Sequence, residues 1–138
     1  METIKATVKA VRMFINEDNA TVTLTLDKAV KGFKRTDAGT FEEAETDTIS
    51  FFRSALTAQL CDVNDDIALF RSMSEHAFGQ REFGAILFGA KLTLEREFKA
   101  AGEVVGERAI QRDCYITTIT GITLSAKAVA ALDKATAL

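Results

Sequence analysis

Between Ala20 and Asp27 the chain reads "ATVTLTLD", with Val22, Leu24 and Leu26 on one side of a two-residue period and Thr21, Thr23 and Thr25 on the other. Successive side chains of an extended backbone point to opposite faces, so strict alternation of this kind predicts a half-buried strand. The same period governs Thr3 to Ile15, where Ile4, Ala6, Val8 and Ala10 share a face with Arg12, and "NEDNA" between the two runs supplies a turn. The pair therefore reads as a hairpin. A third strand is expected over "TISFFR", with Ile49 and Phe51 inward. Farther on, "GAILFGAKLTLEREFKAAGEVV" reads as a strand with a bend or bulge at Gly89, and "RDCYITTITGITLS" as its β-branched partner. A mainly β chain follows.

Helical signals occupy what remains. Ser54 is an expected N-cap for "ALTAQL" and Asn64 a second for "DDIALFRSMSEHAF", whose Asp65 and Asp66 suit the positive end of a helix dipole. Ile67, Phe70, Met73 or Ser74, and Ala77 recur every three to four residues, so helix is predicted over 54–78, ending at Gly79. Ser125 opens a short C-terminal helix over 125–138. Between strands two and three, Asp37-Ala38-Gly39 is a tight-turn sequence, and residues 28–47 are expected to form a protruding hairpin.

The chain has 138 residues, no proline and no internal repeat, so residues 1–138 read as one domain. A hydrophobic fraction of 47% excludes disorder, and charges interrupt every apolar run before it could cross a bilayer. "METIKATVKAV" alternates at once and lacks the features of a secretory signal, which makes a soluble cytoplasmic protein the expectation. In that setting Cys61 and Cys114 are expected to be reduced, small hydrophobes. With His76 they make no zinc-ligand pattern, and His76 itself is expected to cap the last turn of a helix. Glu95 and Glu97 share a strand face without a nucleophile or histidine, and no phosphate-loop or dinucleotide motif occurs. Neither a metal, nor a cofactor, nor catalysis is expected. The chain reads as a binder.

What it binds turns on charge distribution. A net charge of −3 argues against non-specific duplex binding, where phosphate neutralisation supplies most of the affinity. Residues 1–41 nonetheless carry seven Lys/Arg against five Asp/Glu, and the acids concentrate in 42–48. In "KGFKR", Lys31, Lys34 and Arg35 surround Phe33, which combines cations for phosphates with an aromatic plane for a base. If Phe51 faces the core then Phe52 faces out, beside Arg53. At the end of "KLTLEREFK", Arg96, Phe98 and Lys99 cluster before a loop. Arg96 and Phe98 share the side of Leu92 and Leu94, so they reach a binding face only where the strand leaves the core or a bulge resets its register. These nine residues form the candidate nucleic-acid site.

The order of three strands, a helical segment, two strands and a helix, with the helix at 54–78 and the "GAKLTLEREFKAAGE" stretch, resembles the OB-fold single-stranded DNA-binding proteins of phage and bacterial replication, over residues 3–124. The resemblance implies a five-stranded Greek-key barrel with an α-helix between strands three and four. It also implies non-sequence-specific binding of single-stranded DNA in replication or recombination. Bacterial members end in a flexible acidic tail, whereas "ALDKATAL" is short and nearly neutral, so recruitment through a tail is not implied here. "TVTLTL" and "YITTITGI" are edge-prone sequences that invite pairing into a homo-oligomer. The alternative reading is a structural or assembly protein, for instance a phage-encoded oligomeric module, whose exposed phenylalanines meet protein instead of bases.

Overall fold

The period-two segments pair into one antiparallel sheet in a computed structural model that describes residues 1–17 and 19–137. Its strands are β1 (Glu2–Ile15), β2 (Ala20–Arg35), β3 (Phe41–Phe52), β4 (Lys91–Lys99) and β7 (Cys114–Thr123), in the order β3-β2-β1-β4-β7. A separate two-stranded ribbon, β5 (Val104–Val105) with β6 (Arg108–Ala109), lies in the loop before β7. Asn16 and Asn19 close the first hairpin, Asn16 Oδ1 accepting from the Asn19 amide at 2.8 Å. Asp18, within the expected "NEDNA" turn sequence, and Leu138 lie outside the described residues.

Alternation puts Ala6, Val8, Val22, Leu24, Leu26, Ile49, Phe51, Leu92, Leu94 and Ile119 on one face, all buried. Helices cover that face. They are α1 (Arg53–Val63), α2 (Asp65–Met73), α3 (Gln80–Leu87) and α4 (Ala126–Thr136), and they contribute Leu56, Leu60, Ile67, Phe83, Ile86, Leu87, Ala128 and Leu132 to the core. Among the described residues no helix is long and apolar enough to cross a membrane.

Several sequence expectations need correction. The single helical segment over 54–78 is two helices broken at Asn64, whose backbone is extended and whose Oδ1 accepts from the Ile67 amide at 2.9 Å. Ser54 lies inside α1, where Phe52 holds the cap position without a side-chain bond. The expected strand at Gly84–Leu87 is helical. Phe83, Ile86 and Leu87 follow the three-to-four spacing of a buried helix stripe, and Glu82 closes the N-terminus by accepting from the Gly79 amide at 3.3 Å. Gly79 therefore begins a helix instead of ending one, Gly89 (φ 77°) makes the turn into β4, and His76 and Ala77 sit exposed beyond α2. Ser125 caps α4 as expected, its Oγ accepting from the Ala128 amide at 3.1 Å.

The 28–47 hairpin is not a protrusion. β2 and β3 continue through it, their pairing shifts register between Thr25 and Val30, and beyond that shift β2 folds back so that Lys31 and Phe33 reach Arg96 on β4 and Tyr115 on β7. Val30 and Gly32 are consequently buried, and a Cβ on Gly32 would stand 3.0 Å from Thr46 Cγ2, too close for any larger residue without movement. Finally, the backbone ladder does not close into a full barrel, because among the described residues no hydrogen-bonded pairing joins β3 to β7. The strands curl toward one another and leave a seam.

Truncating the core should cost far more than removing a cap. Leu94→Ala is expected to lower unfolding free energy by about 2–5 kcal/mol and Asn64→Ala by about 0.5–2 kcal/mol. Urea titration reads both as shifts of midpoint with little change of slope.

Candidate nucleic-acid interface

The seam is bridged by side chains. From β4, Arg96 points to the core side like Leu92 and Leu94, and it is buried with 7% of its surface exposed. Its Nε donates to Thr117 Oγ1 on β7 at 3.0 Å, and its Nη1 donates to the Lys31 carbonyl on the folded-back half of β2. The guanidinium carbon lies 4.9 Å from the ring centroid of Tyr115. Tyr115 in turn packs on Phe33 of β2 (5.8 Å between centroids) and Phe98 of β4 (5.7 Å), and its hydroxyl donates to Glu43 Oε1 on β3 at 3.0 Å. Four strands thus converge on one tyrosine.

Electrostatics follow from this placement. Desolvation lowers the Arg96 pKa from its ordinary value, with nearby Glu2 and Tyr115 acting in the opposite direction. No carboxylate oxygen lies within 4 Å of its guanidinium among the described residues. The Tyr115 phenol is raised above its ordinary value, first by desolvation and then by its hydrogen bond to the Glu43 carboxylate.

Beside this cluster the seam opens into a cleft of about 320 Å³, where Phe33, Thr46 and Ser50 face Arg96, Arg112 and Tyr115. A second groove of about 580 Å³ runs on from it, sharing Ser50, Arg112 and Cys114, and is walled by Phe52, Ile116 and Arg108. Arg112 also lies over the Phe41 ring, 3.7 Å from its centroid. Arginines and aromatic planes alternate along one channel.

The nine residues expected from sequence divide into two sets. Phe33, Arg96 and Phe98 meet at the seam, with Phe33 and Phe98 6.3 Å apart between centroids, and Phe52 lines the second groove next to a half-buried Arg53. Arg96 stays on the core side: the register shift at Thr93/Leu94 leaves it aligned with Leu94, while Phe98, 47% exposed, emerges at the strand end. Lys31, Lys34 and Arg35 are exposed on β2, but the ladder sets Lys31 opposite Glu45 and Lys34 opposite Glu42. Lys99 pairs with Glu97 at 3.1 Å. The basic run is therefore balanced by the acidic run of the neighbouring strand.

Sequence reasoning missed Tyr115, Arg112 and Arg108. A cue existed in "RDCY", which places a cation and an aromatic three residues apart at the start of a strand that the fold sets across from β3. Set against family models, curated proteins and solved structures, the chain matches none, so its site is read from its own residues.

Tyr115 is the only tyrosine, which makes its ionisation directly visible by ultraviolet absorbance. Its midpoint is expected above the ordinary value of 10, and Glu43→Gln should move it back toward that value. Because the native phenol ionises later than the unfolded one, this group's contribution to stability is intact below pH 10 and is lost as pH rises toward the native midpoint.

Proposed function

We propose that the chain binds single-stranded DNA without regard to sequence, along the seam between β3 and β7. The observation that carries this reading is the cleft in which Arg96 and Arg112 stand beside Phe33 and Tyr115 and which continues to Arg108 and Phe52. A single strand offers a regular line of phosphates and a series of bases able to stack on any aromatic plane, and this channel supplies partners for both. The strand order gives further support, being that of a five-stranded Greek-key barrel cut open between its third and fifth strands. On this reading the protein is a non-catalytic OB-like binder in replication or recombination. Lys31, Lys34 and Arg35 steer the strand toward the channel, held back by their glutamate neighbours, and Arg53 and Lys99 flank it.

Anisotropy of a labelled oligo-dT, titrated at several salt concentrations, tests the reading. Arg112→Ala should reduce the salt slope by about 0.7. Phe52→Ala should cost about 1–3 kcal/mol with the slope intact. Lys34→Ala with Arg35→Ala should weaken binding less than Arg112→Ala alone. A parent protein that fails to bind in low salt sinks the reading.

A second reading, self-assembly into a homo-oligomeric structural module, is favoured by a different surface. Phe88 is 61% exposed, and it borders a cavity of about 480 Å³ lined by Gly84, Ala85 and Ala131. Light scattering across a concentration series distinguishes the two. Association abolished by Phe88→Ser, in a protein indifferent to oligo-dT, would favour assembly.

A further inference from the structure

Arg96 presents a physical problem that strand binding alone does not address. A guanidinium carries five N–H donors and keeps its charge, and here it is buried without a carboxylate within 4 Å among the described residues. Among the described residues its protein bonds occupy Nε and Nη1 only. No buried side-chain nitrogen or oxygen is left without a partner among those residues, so Nη2, which has none, is reached by solvent. The way in is the 320 Å³ cleft that Arg96 lines. A cation taken out of water is favourable only when an anion or several acceptors complete its shell.

The rest of the cleft has complementary chemistry. Arg112 supplies a second guanidinium, anchored over Phe41. Thr46, Thr48, Ser50 and Thr117 line it with hydroxyls: Ser50 bonds Thr23 at 2.9 Å and Thr46 bonds Thr48 at 3.1 Å, which leaves the Thr117 proton and one proton of the Thr46–Thr48 pair to donate from other directions. Asp113, the one carboxylate in the lining, is engaged elsewhere through Oδ1, which accepts from the Ala101 amide at 2.8 Å. With Asp113 counted, the cleft carries an excess of one positive charge, enough for one singly charged oxyanion. Donors converging from three strands and a loop do not lie in one plane, which suits a tetrahedral oxyanion better than a carboxylate, whose lone pairs are confined to its own plane. The Tyr115 and Phe33 rings at its rim offer a plane to whatever ring the anion bears.

We propose that this cleft is a phosphate site, in which Arg96 from the floor and Arg112 from the rim hold one nucleotide phosphate while the attached base lies against Tyr115 and Phe33. The proposal deepens the strand-binding reading by naming where a phosphate is anchored. The same donors would also take the phosphate of a free nucleotide, whose second negative charge would be left to solvent at the open side of the cleft. Arg96 then has two roles at once: it ties β2 to β7 through Lys31 and Thr117, and it presents its remaining donors to the ligand. Binding at the seam should consequently tighten the curl of the sheet.

With no tryptophan and a single tyrosine, emission from Tyr115 reports on the site directly. The intact protein would be titrated with thymidine monophosphate, with inorganic phosphate, and with thymidine as a control lacking the anion, all at matched ionic strength. Saturable change with the nucleotide, competition by phosphate and no response to thymidine are expected. Arg112→Gln, on an exposed residue, should weaken the nucleotide about tenfold or more, as loss of a charge-assisted hydrogen bond does. Arg96→Lys should weaken it as well despite the retained charge, because an ammonium cannot keep the Thr117 and Lys31 bonds and the ligand together. If Arg96→Lys does not fold, Arg112→Gln decides alone. No response to nucleotide or phosphate, or unchanged affinity in Arg112→Gln, overturns the site. Oligo-dT binding that is intact in parent and variants alike would leave the strand reading standing and remove the phosphate site. Nucleotide binding lost in Arg112→Gln, in a protein that ignores oligo-dT, would keep the site, identify a free nucleotide as its ligand and end the strand reading.

Discussion

A single buried guanidinium holds the two halves of the curled sheet in relation. Arg96 leaves β4 on the core side, where its neighbours two and four residues back are leucines, and reaches both the folded-back end of β2 and the hydroxyl of Thr117 on β7. Everything at the seam depends on that reach. It brings Phe33 to Phe98 and Tyr115, and this in turn places Glu43 of β3 within hydrogen-bonding distance of the Tyr115 hydroxyl. An apolar residue at position 96 would pack as well against Leu94 and cost less desolvation, yet it could donate to neither the Lys31 carbonyl nor Thr117. Retaining a charge there makes the closure directional, since it is set by hydrogen bonds with defined geometry and not by oil-like contact alone.

An open sheet must also manage its unpaired edges, and two glutamines do this where strands end early. β4 pairs with only the first half of β1. Beyond Thr7 the edge of β1 is taken first by the α3–β4 turn, where Val8 and Ala90, then Gly89 and Val8, exchange backbone bonds. Gln80 of α3 follows, its amide accepting from the Met13 N–H at 2.5 Å and donating to the Val11 carbonyl at 2.7 Å. A primary amide has the same donor and acceptor as a peptide unit, so Gln80 acts as a one-residue strand. Gln59 of α1 does the same in part on β7, accepting from the Ile119 amide at 2.8 Å. Edges treated this way offer less template for stray pairing.

Local pattern made the strands legible and left their convergence hidden. Val22, Leu24 and Leu26 alternate unmistakably, and Asn64 and Ser125 carry their capping role in their chemistry alone, so these features are recovered from sequence. "FGAILFG" is different: a short apolar run between glycines fits a buried strand and a buried helix turn equally well, and only the packing of Phe83, Ile86 and Leu87 against β1 selects helix. The site was partly legible for a related reason. Phe33, Phe52, Arg96 and Phe98 announce themselves as aromatics and cations near strand ends, but no linear reading sets Lys34 opposite Glu42, or Tyr115 against Phe33. Those relations come from register and from the bend after Thr25, both set by residues far away in the chain.

The central position of β1 has a consequence for the order in which the molecule can assemble. β1 pairs with β2, the next strand in the chain, and β3 joins β2 in the same way, so a three-stranded meander can form from neighbouring segments. The other edge of β1 must wait, because Glu2 finds Arg96 and Thr7 finds Lys91 only after three helices have been laid down between them. Closing so long a loop is entropically slow, and until it happens a threonine- and valine-bearing strand stands with one side bare. On the ribosome that interval lasts until β4 has emerged, which makes the docking of β4 the event that converts an exposed ribbon into a protected sheet and sets the time over which the nascent chain is vulnerable to its neighbours.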